Sequence, residues 1–155
     1  FNTLVGLIGR LNKENLDKND IKYYPLLPYP KSKVLFGYDI NISDIKSKKY
    51  VILVESEKSV LKAYQLGIRN VLAIGGSSIS KYHIELLKQN GITNVIILFD
   101  QDKNIKDIKK NIDKFENIEY IIVNSSSLKD KSCLLDEVTS KKEFMKFIKK
   151  YGKKY

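Results

Sequence analysis

The sequence predicts an α/β fold: a mainly parallel sheet with flanking helices, preceded by a small basic α+β subdomain. Three observations carry that reading. Residues 51–54, 71–74 and 95–99 are continuous apolar runs and 118–123 is interrupted only by Glu119, the pattern of parallel strands buried on both faces. Stretches of helical period separate them, and Gly67 and Gly91 stand where left-handed C-terminal caps belong. Residues 1–49 hold all three prolines, Pro25, Pro28 and Pro30, and show no clean helical period.

In chain order, Leu4 to Arg10 reads as an edge of a small sheet, with Gly6 and Gly9 allowing turns or close backbone approach. Residues 23–30 read as extended chain, because a residue before proline is pushed out of the α region. Residues 33–38 are expected as a short strand, and 42–48 as a short helix capped by Ser43. Strand 51–54 leads to helix 57–66, with Val60, Leu61, Ala63 and Tyr64 as its buried stripe. Strand 71–74 leads through Gly75-Gly76-Ser77-Ser78 to helix 79–90, where Ile79, Tyr82, His83, Leu86 and Leu87 share a face. Strand 94–99 leads to Asp100-Gln101-Asp102 and then helix 104–115, with Ile105, Ile108, Ile112 and Phe115 inward. Strand 118–123 ends in a polar loop at 124–127. The last helix opens on a capping box, Ser140 with Glu143, and buries Phe144, Phe147 and Ile148. The expected domains are a basic N-terminal subdomain at 1–49, the α/β domain at 50–140 and a C-terminal helix at 141–155.

Composition bounds the function. A chain of 155 residues is long enough for one core plus a small subdomain. Net charge is +10, which favours a polyanionic partner through counterion release, although an AT-rich coding bias gives the same excess of lysine. No run approaches the ~20 apolar residues that span a bilayer, so no membrane partner is expected. Cys133 is the only cysteine, which excludes an internal disulfide and argues against a cysteine zinc site. A cytoplasmic location is the default expectation. The chain starts at Phe1 and not Met, so it reads as a piece of a longer protein.

The chemistry gathers where strands end. Right-handed crossovers put the C-terminal ends of parallel strands on one side, and ligands bind outside that edge. Glu55 follows the first strand, Gly75 and Gly76 follow the second, and Asp100 and Asp102 follow the third. Carboxylates facing an open cleft suit Mg²⁺ or Mn²⁺ shared with substrate phosphates. Asp100 and Asp102 have period-2 spacing and would share a face if the strand continued. Each feature also has an ordinary reading. A glutamate after a strand is commonly a helix-start carboxylate, and Gly-Gly-Ser-Ser is commonly a turn with a cap. His83 fits a packed helix face better than a base. Tyr23, Tyr24 and Tyr29 fit small-core packing as well as stacking on bases. Lys149, Lys150, Lys153 and Lys154 read as a solvated end.

At these residues the chain resembles a TOPRIM domain, the module of DnaG-type primases, topoisomerases and several nucleases. The carriers are Val-Ile-Leu-Val-Glu55, Ala-Ile-Gly75-Gly76 and Ile-Leu-Phe-Asp100-Gln-Asp102. Residues 55–59, Glu-Ser-Glu-Lys-Ser, are similar to the form found in phage and plasmid primases. Upstream, Gly6-Leu7-Ile8-Gly9-Arg10, Lys22-Tyr23 and the run from Lys31 through Lys33 to Gly37 resemble the basic subdomain of DnaG-type primases. The sequence departs from the cellular pattern at Ser59, where an Asp is usual, and at Ile105, where a Gly is usual. The later acidic motif is matched at Lys129-Asp130 and, after extra residues, at Asp136-Glu137.

The resemblance implies a DNA primase core of phage or prophage origin that makes RNA primers from ribonucleoside triphosphates on single-stranded DNA. It implies Glu55, Asp100 and Asp102 as catalytic metal ligands for Mg²⁺ or Mn²⁺, with Asp130 and Asp136 as additions and no zinc in this segment. It implies Arg10, Lys22, Lys31, Lys33, Gly75 and Gly76 as contacts to template or triphosphate. Its partners would be the template, the triphosphates, the RNA–DNA hybrid and, through regions absent here, a replicative helicase. A TOPRIM nuclease and a non-catalytic nucleic-acid-binding module are the alternatives.

Overall fold

The structure, a computed structural model, describes residues 4–13, 15, 17–124, 126 and 134–155. The chain divides into two compact units, 1–30 and 31–155.

In the smaller unit, β1 (Leu7–Arg10) pairs antiparallel with β2 (Tyr23–Leu27), and a bulge separates Leu7 from Ile8. Pro25 fits because a two-stranded sheet has an unpaired outer side on every strand. The backbone at Gly6 passes directly under the Tyr29 ring: an added Cβ would stand 1.9 Å from Cδ1 of that ring. Lys13 closes the connecting loop by reaching Asp17 and, at 2.9 Å, Asp20.

The larger unit is built on a five-stranded sheet. β3 (Tyr50–Val54), β4 (Val71–Ala73), β5 (Asn94–Ile97) and β6 (Glu119–Val123) are parallel, and β7 (Gly152–Lys154) is antiparallel at the end. Their spatial order is β4-β3-β5-β6-β7. Helices cover both faces, as the continuous apolar strands require. α3 (Lys81–Gln89) and α4 (Ile105–Ile112) bury Ile84, Leu87, Ile108 and Ile112 with Val51, Leu53 and Ile97 on one side. α2 (Glu57–Gln65) and α6 (Lys141–Tyr151) bury Val60, Ala63, Phe144 and Ile148 with Ile52, Val54 and Leu98 on the other. α5 (Leu134–Glu137) adds Leu134 and Leu135 to that second layer. Among the described residues no helix is long and apolar enough to cross a membrane.

The sheet ends on β4 at one side and on the short, lysine-bearing β7 at the other, and a short charged edge strand discourages pairing with other chains. On the β4 side Phe36 makes a single antiparallel bridge to Ala73, with N···O distances of 2.9 and 3.1 Å. The strand expected at 33–38 is therefore one bridge, preceded by a 3₁₀ turn at Lys31–Lys33. α1 spans Tyr38–Lys48, four residues earlier than expected, and its N-cap is Gly37 at φ 85° and not Ser43. Residues 31–49 thus pack with the sheet, and the division of the chain falls after Pro30. On the β6 side the chain after α6 turns back as β7, so the C-terminal segment is a helix followed by a strand.

Three expected inward residues face solvent. Leu61 and Tyr64 are exposed on α2 because its buried stripe is Ser59, Val60 and Ala63, and the Arg69 guanidinium lies over the Tyr64 ring. Tyr82 is exposed on α3, where Lys33 Nζ sits 5.1 Å from its ring centre.

Candidate functional site

The connection order fixes where a crevice must open. From β3 the chain moves outward to β4, crosses back over β3 to β5, and continues to β6. Strand order therefore reverses between β3 and β5, the switch point at which open α/β sheets bind ligands outside their C-terminal ends. Glu55 follows β3 and Asp100 lies three residues beyond β5, so both stand at that point.

Glu55 is not the helix cap that its position allows. Ser56 caps α2, accepting from the Ser59 N–H at 3.4 Å, and the Ser56 and Ser59 hydroxyls lie 2.9 Å apart. Ser59, which replaces the usual Asp, is buried in that cap. Glu55 instead reaches across the crevice, and its Oε1 accepts the Asp100 N–H at 3.0 Å.

The strand does not continue through Asp102. Beyond Ile97 the backbone bonds onward through Leu98 N–H to the Leu53 carbonyl, and then turns, with Lys103 N–H donating to the Asp100 carbonyl at 3.1 Å. The expected common face for Asp100 and Asp102 is thereby replaced by a turn. Asp100 is half-buried beside Glu55, while the Asp102 side chain is half exposed. Lys103 lies between two of the carboxylates, 3.7 Å from Glu55 Oε2 and 3.6 Å from Asp102 Oδ2. Asp136 on α5 is held by Lys58 of α2 at 2.9 Å. Asp130 lies outside the described residues, as does Lys129.

The electrostatics are those of crowded acid. Burial first, and then the Asp100 and Asp102 charges, push the Glu55 carboxyl above its usual range, against the Asp100 N–H and Lys103. Burial also pushes Asp100 up, and Asp102 and Asp136 add to it against Lys103 and Lys58. Four carboxylates thus act on one crevice with two lysines to offset them. Among the described residues, no three metal-ligating side chains converge closely enough to enclose an ion. In chemistry, however, the donor set suits a hard divalent cation: all oxygen, partly desolvated, and carrying negative charge that the neighbouring ammonium groups do not cancel.

The glycine loop forms the adjoining wall. Gly75 has φ 66°, and the Lys31 side chain runs against it, 3.5–3.6 Å from where a Cβ would be. A Cβ at Gly76 would meet nothing within 4 Å. The loop is clamped at its far end by Asn111 of α4, which accepts the Ile79 N–H at 2.9 Å and donates to Ser78 Oγ at 2.9 Å. Ser80 then caps α3 and His83 completes the capping box. Lys33 lies in the same 3₁₀ turn as Lys31. Arg10 and Lys22 belong to the smaller unit, where Arg10 pairs with Tyr23 in the sheet register and Lys22 O accepts the Leu11 N–H. Sequence reasoning missed Lys103, Ser80 and Asn111. A lysine directly after Asp102 was a readable signal; Asn111 sits on a helix whose periodicity marks it merely as polar, and Ser80 at a helix start reads as no more than a cap.

Comparison with known proteins agrees with this geometry. The Toprim domain family matches residues 49–104. A DNA primase of Helicobacter pylori is 32% identical over 100 residues, covering 64% of this chain and 18% of its own length. The structure of the Aquifex aeolicus primase zinc-binding and RNA polymerase domains superposes with a TM-score of 0.79 at 25% identity, over 98% of this chain and 38% of that one. A DnaG primase catalytic domain bound to single-stranded DNA shares the fold at 21% identity, with a TM-score of 0.75 over 97% of this chain and 48% of its own. The chain spans 12% to 18% of the length of the curated relatives that it matches. Residues 49–104 match the Toprim domain family, and the structural neighbours of the chain are DnaG primase catalytic cores.

Proposed function

We propose, for a chain that matches the Toprim domain family over residues 49–104 and shares the fold of DnaG catalytic cores, that it is the nucleotide-joining core of a DNA primase. It would link ribonucleoside triphosphates on a single-stranded DNA template and hold the RNA–DNA hybrid that results. The observation that supports this best is the meeting of Glu55 and Asp100 at the switch point of the sheet, inside the Toprim match.

Glu55, Asp100 and Asp102 would hold Mg²⁺ or Mn²⁺, with Asp136 and Asp130 as further candidate ligands. Such ions supply a lowered pKa at the attacking hydroxyl and neutralise the departing pyrophosphate. The protein's own contribution is placement. Glu55 Oε1 is fixed by the Asp100 N–H, which leaves Oε2 turned toward Lys103 and the crevice. Gly75 and Gly76 let phosphate approach the backbone closely, and Lys31 and Lys33 supply point charges for triphosphate or template. Arg10 and Lys22 are proposed as further contacts to template or triphosphate. Residues 55–59 support an origin in phage replication.

The test is template-directed primer synthesis with radiolabelled ribonucleotides and Mg²⁺ or Mn²⁺. Wild type is expected to extend primers, and Asp100→Asn to lose at least 10²-fold in rate. Full activity in the variant would remove Asp100 from the chemistry. Cleavage of labelled DNA or RNA without synthesis would reassign the site to a nuclease.

A further inference from the structure

We infer that His83 and Ser80 are positioning residues that lock the basic Lys31–Lys33 turn onto the start of α3, so that its lysines stand pre-set beside the Gly75 loop. This rests on the primase reading, in which those lysines hold a phosphate chain.

His83 is buried at 1% exposure, and both of its ring nitrogens are engaged. Nδ1 accepts the Ser80 N–H at 3.3 Å, which fixes the tautomer, so Nε2 carries the proton and donates to the Lys31 carbonyl at 2.9 Å. Ser80 works in parallel: its Oγ accepts the His83 N–H at 3.1 Å and donates to the Ser32 carbonyl. Two consecutive carbonyls of the basic turn are thus gripped by two side chains of one helix start. A histidine that merely packed α3 would need a partner for each nitrogen, but not one 52 residues away in the turn that bears the lysines.

Electrostatics makes the grip necessary. The start of a helix carries partial positive charge, so two lysines there are repelled by it. Yet Lys33 Nζ lies over the Tyr82 ring in the first turn of α3, and the Lys31 stem follows Gly75. The hydrogen bonds to the Lys31 and Ser32 carbonyls hold the backbone of the turn in place beside the Gly75 loop and the first turn of α3. With the turn fixed in advance, a phosphate ligand need not order it on binding.

The experiment measures binding of a fluorescent single-stranded oligothymidine by anisotropy at fixed salt, without divalent metal. It compares wild type, His83→Ala, His83→Gln and the Lys31→Met/Lys33→Met pair, alone and combined with His83→Ala. Hydrogen exchange of residues 31–36 is followed in the same proteins. His83→Ala is expected to bind about fivefold to tenfold more weakly and to lose protection at 31–36. His83→Gln, whose amide can accept from Ser80 and donate to Lys31, should recover both. Adding His83→Ala to the lysine pair should cost nothing further, because the histidine acts through those lysines. Wild-type affinity in His83→Ala, or a loss that adds to that of the lysine pair, overturns the inference and leaves the primase reading standing. Failure of the wild type to bind the oligonucleotide overturns that reading, and the inference with it.

Discussion

Replacing Asp100 by asparagine should make the protein more stable while removing its response to divalent metal. The carboxyl is held above its ordinary range mainly by burial, then by the Asp102 and Asp136 charges, with Lys103 and Lys58 opposing. A raised carboxyl binds more protons folded than unfolded in the window just above the unfolded value of 3.8. Stability therefore falls as pH rises through that window, and the deficit persists at neutral pH. An amide of the same shape carries no charge to desolvate, and the bond from the Asp100 N–H to Glu55 is backbone and survives. Relief of strain at a functional site typically yields about 0.5–2 kcal/mol. Asp100 is half-buried, so solvent screening keeps the gain near the lower half of that range. That corresponds to roughly 2–4 °C in Tm for a chain of this size. The assay is thermal unfolding at pH 7 and near pH 4, with and without Mn²⁺. The gain should shrink toward pH 4, where the wild-type carboxyl is increasingly protonated. Mn²⁺ should raise the wild-type Tm, by about 2.7 kcal/mol of stability at a hundredfold excess over Kd, and leave the variant unmoved. A variant less stable at pH 7, or one stabilised by Mn²⁺ as much as wild type, would refute the reasoning.

Three further outcomes follow from particular contacts. Lys103→Met removes the ammonium between Glu55 and Asp102 and should tighten Mn²⁺ binding about tenfold, measured by electron paramagnetic resonance titration, since a unit charge near a divalent ion costs on the order of 1–2 kcal/mol after screening. Weaker binding would mean that the lysine helps to hold the acids in place. Gly37→Ala forces a side chain into φ 85° with its Cβ 2.9 Å from Val60 Cγ1, and should cost about 1–3 kcal/mol in a urea titration. Burial holds His83 below its ordinary range against the Lys31 and Val34 carbonyls, so the unfolded chain takes up the extra proton. Its contribution is complete above about pH 6.5 and declines as pH falls below that, so the wild-type minus His83→Gln stability should drop between pH 7 and pH 5 in denaturant titrations.

The parallel core was legible because its signals are local and redundant. Val51 to Val54 and Val95 to Ile97 are fully apolar, and Gly67 and Gly91 stop their helices at φ 71° and 70°. What was not legible depends on tertiary pairing. β7 is Gly-Lys-Lys, with no strand pattern, and it exists because the outer side of β6 offers backbone that Gly152 can approach. A Cβ at Gly152 would come within 2.6 Å of the Ile148 carbonyl, so the glycine there is steric. The first turn of α1 escaped notice because the helix starts after a glycine in the left-handed region, which carries no side-chain cap. The outward turn of Leu61 and Tyr64 follows from Ser59, whose hydroxyl belongs to the α2 cap and draws that face inward. In the site, the meeting of Glu55 and Asp100 was readable because strands of one parallel sheet end together. The turn at Asp102 and the grip of His83 were not, since both are set by hydrogen bonds that leave no periodic trace in the sequence.

The bond between Glu55 and the Asp100 N–H bears on how such a crevice can stay open and still be exact. Strands β3 and β5 are hydrogen-bonded neighbours up to Leu98, and beyond it nothing in the ladder fixes how their loops diverge. Glu55 supplies the missing rung with one carboxylate oxygen, so the separation of the two acids is set by the sheet and not by a ligand. Its second oxygen is turned toward Lys103, a cation on a long flexible stem at 3.7 Å, which a divalent ion could displace without moving the backbone. Under the proposed function, one side chain divides its two oxygens between structure and metal binding. On that reading a carboxylate penalised by burial has a reason to stand here: glutamine would preserve the rung, but would remove one of the charges proposed to hold the ion.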